Sequence, residues 1–360
     1  MKQIIRRLAV LLAAAALVVP AWGFGDGAAG TPPAARSTQV AAVKVLKSGS
    51  KGEEVRQLQL RLIELGYDPG SADGIFGKGT KTALQDFQRR NGLEADGQAG
   101  QQTQEKLYSD TAVGIPKPEP VDVLAGELPM LVNKSHPVDE SLYPADMVLL
   151  TDALDSKLVK IKYADTLAVR EAAEAIEEML EAAKADGVTN WQISNAYRSY
   201  TYQERTLENK IRSFRNSHKD WSREKAREAA LRTVAEPGCS EHQLGLAIDI
   251  NVPGKSFAGT RQCKWLHAHC WEYGFIVRYT ADKKAITGID AEAWHIRYVG
   301  VDHALRIRDL GLCLEEYLEG IEDGTIRLFP EDEPEETDDG PGNEKIGVTD
   351  QIEEIILGDE

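Results

Sequence analysis

Two short stretches hold the residue types from which hydrolytic metal chemistry is built. In CSEHQLGLAIDI (239–250), His242 and Asp249 are joined through Gly245 and a short apolar run. In EAWHIRYVG (292–300), Glu292 lies one helical-turn spacing before His295. Catalytic zinc commonly takes three nitrogen or oxygen ligands and leaves a fourth position open. Two imidazoles and a carboxylate meet that need, and a second carboxylate supplies the proton acceptor that activation of water requires. Other uses of the same residues stand beside this one. His242 and Asp249 also suit a buried hydrogen bond between a turn and a strand. Ser240, His242 and Asp249 match a serine-hydrolase triad by type. However, no G-x-S-x-G elbow is present, and Ser240 is too near His242 in sequence for the usual geometry.

The elements around these residues decide whether they can meet. A strand from Leu246 sends Leu246, Ile248 and Ile250 to one face, and Ala247 and Asp249 to the other. Gly245 permits the bend that turns His242 toward Asp249. AWHIRYVG (293–300) reads as a second strand with His295 and Arg297 on one face and Trp294, Ile296 and Tyr298 on the other. Upstream, residues 167–187 carry Val169, Ala172, Ala173, Ile176, Leu180 and Ala183 at helical spacing, closed by Gly187. WQISNAYRS then reads as a strand running into a loop, residues 201–235 as largely helical, 261–273 as a helix and FIVRY (275–279) as a strand. Such irregular alternation predicts an α+β domain with a small antiparallel sheet over residues 128–328. His136, His218, His267, His269 and His303 have no carboxylate at a matching spacing and read as surface or capping residues. The cysteines at 239, 263, 270 and 313 include no C-x-x-C pair. A helix would hold Cys263 and Cys270 roughly 10 Å apart, too far for a bridge, so no specific disulfide is predicted.

Residues 44–110 contain an internal repeat. DGIFGKGTKTAL (73–84) and DGQAGQQTQEKL (96–107) align residue for residue at Asp, Gly, Gly, Thr and Leu. Each Asp-Gly turn leads into an amphipathic segment. With the helix marked by Val55, Leu58, Leu62 and Leu65, this predicts a small all-α three-helix module. Residues 111–127 are rich in proline, without apolar periodicity, and read as a linker. Residues 1–23 look like a signal peptide: Lys2, Arg6 and Arg7 precede the apolar run Leu8–Val19 and the small residues around Trp22. That run is short of the ~20 residues of a bilayer span, so no stable membrane span is expected after signal removal. The formal charge is −16, and residues 331–360 hold 13 acidic groups against one lysine. Residues 329–360 therefore read as an acidic disordered tail, and the acidic balance argues against a nucleic-acid partner.

Two resemblances sharpen this reading. The stretch LKSGSKGEEVRQLQLRLIELGYDPGSADGIFGKGTKTALQDFQRRNGLEADGQAGQQTQEKL is similar to the peptidoglycan-binding domain family of wall-lytic enzymes. That implies targeting to cell-wall glycan. S-x-H-x-x-G-x-A-x-D followed by E-x-W-H-x-R-Y-V-G resembles the D-alanyl-D-alanine carboxypeptidase family of the vancomycin-resistance (VanY) type, zinc peptidases acting on peptidoglycan stem peptides. The resemblance extends over about residues 128–320 and takes in LVNKSHPV, AYRSYTYQ, GFIVRY, ITG and LEEYL. It implies one Zn2+ per chain on His242, Asp249 and His295, with Glu292 as catalytic base. Arg198 and Ser240 fall where the family binds the substrate's terminal carboxylate, and Arg297 and Trp294 fall beside the ligands. Ala293 departs from the proline that many relatives carry after the glutamate. The implied protein is a secreted, wall-associated carboxypeptidase. An L,D-carboxypeptidase or endopeptidase on the same scaffold, and a catalytically inactive wall-binding protein, are the alternatives.

Overall fold

The computed structural model describes residues 43–327. The expected signal peptide and acidic tail lie outside the described residues.

Three helices form the first module: α1 (Glu53–Glu64), α2 (Lys78–Arg90) and α3 (Gln101–Leu107). Val55, Leu58 and Leu62 of α1 and Ala83, Leu84 and Phe87 of α2 recur at helical spacing and are buried together, with Leu107 of α3. The internal repeat has a structural counterpart that the sequence did not advertise. Buried Gln59 donates to Asp73 and Thr80 and accepts the N–H of Gly74. Buried Gln88 donates to Asp96 and Thr103 and accepts the N–H of Gly97. Each Asp-Gly turn is thus pinned by an amide whose polar atoms are all engaged, as burial demands.

The proline-rich segment does not hang free. Ile115 donates to the carbonyl of Leu65, Val121 bridges to Pro144, and Val123 is buried in the core of the second module. The two modules also touch directly. Arg205 grips Asp68 through two bonds of 2.7 and 2.8 Å, Ser71 meets the Tyr202 hydroxyl at 2.9 Å, and Asp165 accepts the Ala72 N–H.

The second module follows the order β1 (Met147–Leu149), α4 (Leu150–Ala153), β2 (Val159–Ile161), β3 (Leu167–Val169), α5 (Arg170–Ala185), β4 (Trp191–Asn195), α6 (Tyr200–Ser217), α7 (Arg223–Ala230), β5 (Ala247–Asn251), α8 (Arg261–His269), β6 (Phe275–Val277), α9 (Lys284–Thr287), β7 (His295–Tyr298), α10 (Val301–Leu310) and α11 (Leu314–Glu322). Its main sheet runs β2-β4-β5-β7-β6, antiparallel throughout except for the β2/β4 pair, and β1 and β3 form a separate antiparallel ribbon. The expected helix over 167–187 therefore begins three residues later, because Leu167–Val169 pairs with β1 and the Val169 N–H bonds to Gly245. Ile248, Ile250 and Ile296 share one buried cluster with the apolar stripe of α5. The opposite face of β5 and β7 carries Ala247, Asp249, His295 and Arg297 in register. The cysteines at all four positions are free.

Candidate metal centre and its cleft

Each ligand candidate owes its place to a local device. Residues Glu241–Leu244 form one 3-10 turn, closed by Gly245 at φ 67°. A Cβ there would stand 2.9 Å from the Met147 sulfur and 3.3 Å from a Val169 methyl, so the turn needs glycine for space as well as for conformation. The turn carries His242 back over the start of β5. Its Nδ1 meets the Ala196 carbonyl at 2.6 Å, which assigns the proton to Nδ1 and leaves Nε2 as the bare donor. Asp249 and His295 are direct partners across β5 and β7.

The three side chains converge. Asp249 Oδ1 lies 3.4 Å from His242 Nε2 and 3.2 Å from His295 Nδ1, and the three ligand atoms lie within 4.8 Å of one another. All three residues are buried. Asp249 Oδ1 has no hydrogen-bond partner although it is fully enclosed, and an orphaned buried carboxylate oxygen needs a cation or a donor. The set fits a metal ion, and its composition of two imidazoles and one carboxylate suits zinc.

Electrostatics point the same way. Burial, with Arg198 nearby, lowers His242 to about 4, so it is neutral and able to ligate at neutral pH. Burial alone would lower His295 too, but the nearby carboxylates of Asp249, Glu241 and Glu292 outweigh it and hold the imidazole up at about 9. Three carboxylates, of Asp249, Glu241 and Glu292, thus favour positive charge at this point. Burial pushes Glu292 up to about 7; His295 opposes that shift and the Asp249 charge adds to it. Its Oε2 stands 3.7 Å from His295 Nδ1, and the Tyr279 carbonyl fixes its backbone N–H.

Arg198 and Ser240 line the same cleft of about 250 Å³, with Tyr279 and Trp294. Arg198 is partly engaged: Nη2 donates to Asp249 Oδ2 at 3.0 Å and Nη1 to Gln203 at 3.1 Å, while its buried Nε has no partner. Trp294 is 37% exposed on the cleft wall. Arg297 is fully buried and reaches the site only through Glu241, 3.3 Å away.

Glu241 itself is absent from the residues singled out by sequence. It is enclosed, bonded to Arg278 at 2.7 Å, and its free Oε2 faces the unpartnered Nε2 of His295 at 3.7 Å. A charged residue on a polar turn reads as solvated, and its neighbour His242 was the only available signal. His267 is a correction. It is neither a surface nor a capping group: burial lowers its pKa, and its Nε2 meets the Ala293 carbonyl at 3.0 Å, bracing the approach to His295. His303 likewise bonds to Tyr317 and the Glu127 carbonyl, whereas His136 and His218 are exposed.

Residues 166–301 match the family described as D-alanyl-D-alanine carboxypeptidase (VanY), and residues 51–107 match the putative peptidoglycan binding domain. A D-alanyl-D-alanine carboxypeptidase of Enterococcus faecalis is 36% identical over 189 residues, covering 52% of this chain and 65% of its own length. The chain therefore spans a little under two thirds of that relative. A second, from Enterococcus faecium, is 30% identical over 283 residues, covering 75% of this chain and 80% of its own length. Among solved structures, VanYB in complex with D-alanine-D-alanine is 34% identical, with 53% of this chain and 96% of that chain covered at a TM-score of 0.46.

Proposed function

Since this chain belongs to the D-alanyl-D-alanine carboxypeptidase (VanY) family, we propose that it is an exported zinc peptidase that removes the C-terminal D-alanine of peptidoglycan stem peptides and is held at the cell wall by its helical module. The observation that carries this reading is the convergence of His242, Asp249 and His295 beside Glu292 on the floor of one cleft.

His242 Nε2, Asp249 Oδ1 and His295 Nδ1 would hold one zinc ion. When bound there, zinc supplies Lewis-acid activation of a carbonyl and of water. Glu292 takes the proton of the attacking water and hands it to the leaving amine. Burial raises its pKa to about 7, and the charges of His295 and Arg198 oppose that rise, favouring the ionised form that accepts a proton. Arg198 and Ser240 receive the terminal carboxylate, Arg198 through the donors that Asp249 and Gln203 leave unused. A guanidinium presents five donors, so anchoring Asp249 and gripping substrate are compatible. That grip sets the last peptide bond over the base and favours trimming one residue from the end.

Incubation of the purified chain with stem tripeptide, tetrapeptide and pentapeptide, followed by mass measurement, tests the reading. The expected product is tetrapeptide from pentapeptide. Conversion of tetrapeptide to tripeptide instead would assign L,D specificity, and cleavage within cross-linked material would assign an endopeptidase. No cleavage by the zinc-loaded chain would overturn the proposal.

A further inference from the structure

A second cavity, of about 280 Å³, opens between the two modules. It is close to the lower end of the ~300–1,000 Å³ of small-molecule sites, which favour domain interfaces and aromatic walls. Tyr67 and Ser71 of the helical module face Tyr143, Tyr163 and Tyr197 of the second, with Tyr202 bonded to Ser71 at the seam. Tyr143 and Tyr197 stand edge to face, 6.2 Å apart. Tyr67 and Tyr202 use their hydroxyls on protein atoms, whereas among the described residues no protein partner meets those of Tyr143, Tyr163 and Tyr197.

Three acids and one lysine line this space; Glu140 and Lys117 are exposed, while Asp68 and Asp165 are engaged. Asp68 is gripped by Arg205, and Asp165 accepts the Ala72 N–H while its enclosure disfavours the charged form. A charged peptide terminus would find no free counter-charge in either. Beyond Glu140 and Lys117 the walls offer aromatic rings and neutral hydroxyls, with Lys117 5.6 Å from the Tyr143 ring centroid and Lys162 4.9 Å from that of Tyr163. That chemistry suits a pyranose ring, whose axial C–H groups lie on aromatic faces and whose hydroxyl and acetamido groups take hydrogen bonds.

The position is also telling. Asn195 lines this cavity and is the cross-strand partner of Asp249. Tyr197 and Ser199 face it as well, while the intervening Arg198 faces the metal cleft and the Ala196 carbonyl holds His242. One loop is the partition between the two spaces.

We propose that the inter-module cavity binds one N-acetylated sugar ring of the glycan to which the stem peptide is attached. The inference rests on the wall-acting function above and adds a glycan subsite to it. Two measurements on the full zinc-loaded chain test it. The first is calorimetry with the N-acetylglucosamine dimer. The second is kcat/KM on free pentapeptide and on the same peptide attached to its disaccharide. The dimer binds the wild type, and Tyr143→Ala and Tyr163→Ala each weaken it by roughly tenfold. In kinetics the wild type prefers the disaccharide-linked peptide, and the variants lose that preference through KM while free-peptide turnover stays unchanged. Tyr143→Phe and Tyr163→Phe keep the rings and remove only the hydroxyls; they decide the matter, with a smaller loss, should an alanine variant fail to fold. Absent binding, or dimer affinity unaltered in folded variants, overturns the proposal. Equal loss on free pentapeptide assigns the cavity to peptide and overturns it too. If no stem peptide is cleaved at all, the enzymatic reading fails, while calorimetry still decides this one.

Discussion

Asp249 and His295 are direct cross-strand partners, and Asp249 Oδ1 stands 3.2 Å from His295 Nδ1. Two of the three ligand candidates are therefore fixed by the register of the sheet, and only His242 depends on a turn. Moving either strand by one residue would send its ligand into the opposite, apolar core.

The ligand set predicts a metal stoichiometry and its loss. The wild type should bind one zinc per chain, lose activity to a chelator and regain it on zinc addition. His295→Ala should bind no zinc at micromolar metal. Metal analysis of the dialysed proteins checks both, and a zinc-replete His295→Ala would remove His295 from the set.

Glu292→Gln should keep the metal and lower kcat by roughly 10²–10⁴-fold, since only the proton acceptor is taken away. Steady-state kinetics beside metal analysis separates the two effects. Near-normal turnover with zinc present would mean another base.

Glu241→Gln should weaken zinc binding by roughly 10–100-fold through a less well held His295. Chelator competition measures this. Glu241→Ala should also destabilise the fold, by about 3–5 kcal/mol, because Arg278 and Arg297 would remain buried beside a lost partner. Unchanged metal affinity in the folded Gln variant would reduce Glu241 to a purely structural role.

Arg198→Ala should slow cleavage of a free-acid peptide while barely affecting its C-terminal amide. It should weaken zinc binding as well, because Asp249 Oδ2 loses its partner. A wild type that cleaves acid and amide equally would exclude the clamp.

Acid sensitivity should trace in part to Glu315. Burial raises its carboxyl, but the Arg278 charge and bonds outweigh burial and leave it below the usual range. An acid depressed in the folded state contributes stability above its unfolded value of ~4.3 and loses it as pH falls through the folded value. The denaturation midpoint of Glu315→Gln should therefore trail the wild type most near neutral pH and approach it on acidification below about pH 4. A gap that widens toward acid would contradict this assignment.

The candidate ligands were legible as a group because strands alternate. Ala247 with Asp249, and His295 with Arg297, could be set on one face by counting in twos, and the register places all four together. The bend at Gly245 was legible because few residues other than glycine take a positive φ. Glu241 was not, since sequence gives no view of the two arginines that bury it. Gln59 and Gln88 were missed for a similar reason: a polar residue on an apolar stripe betrays its role only once its partners surround it. The parallel edge strand Val159–Ile161 is too short to carry a periodic signal. The seating of residues 115–123 depends on distant partners such as Leu65 and Pro144, which proline content alone does not reveal.

The Asp68–Arg205 grip and the seated connecting segment have a consequence for how such a molecule would explore a surface. A module on a loose leash lets its partner sweep a volume, and the benefit is a higher local concentration in every direction. A module clasped at both the seam and the connecting chain instead behaves like a caliper. Wherever one jaw lands, the other is delivered to a single offset and orientation. Targets at that spacing are met without search, and targets elsewhere are reached only when the whole body lets go and lands again.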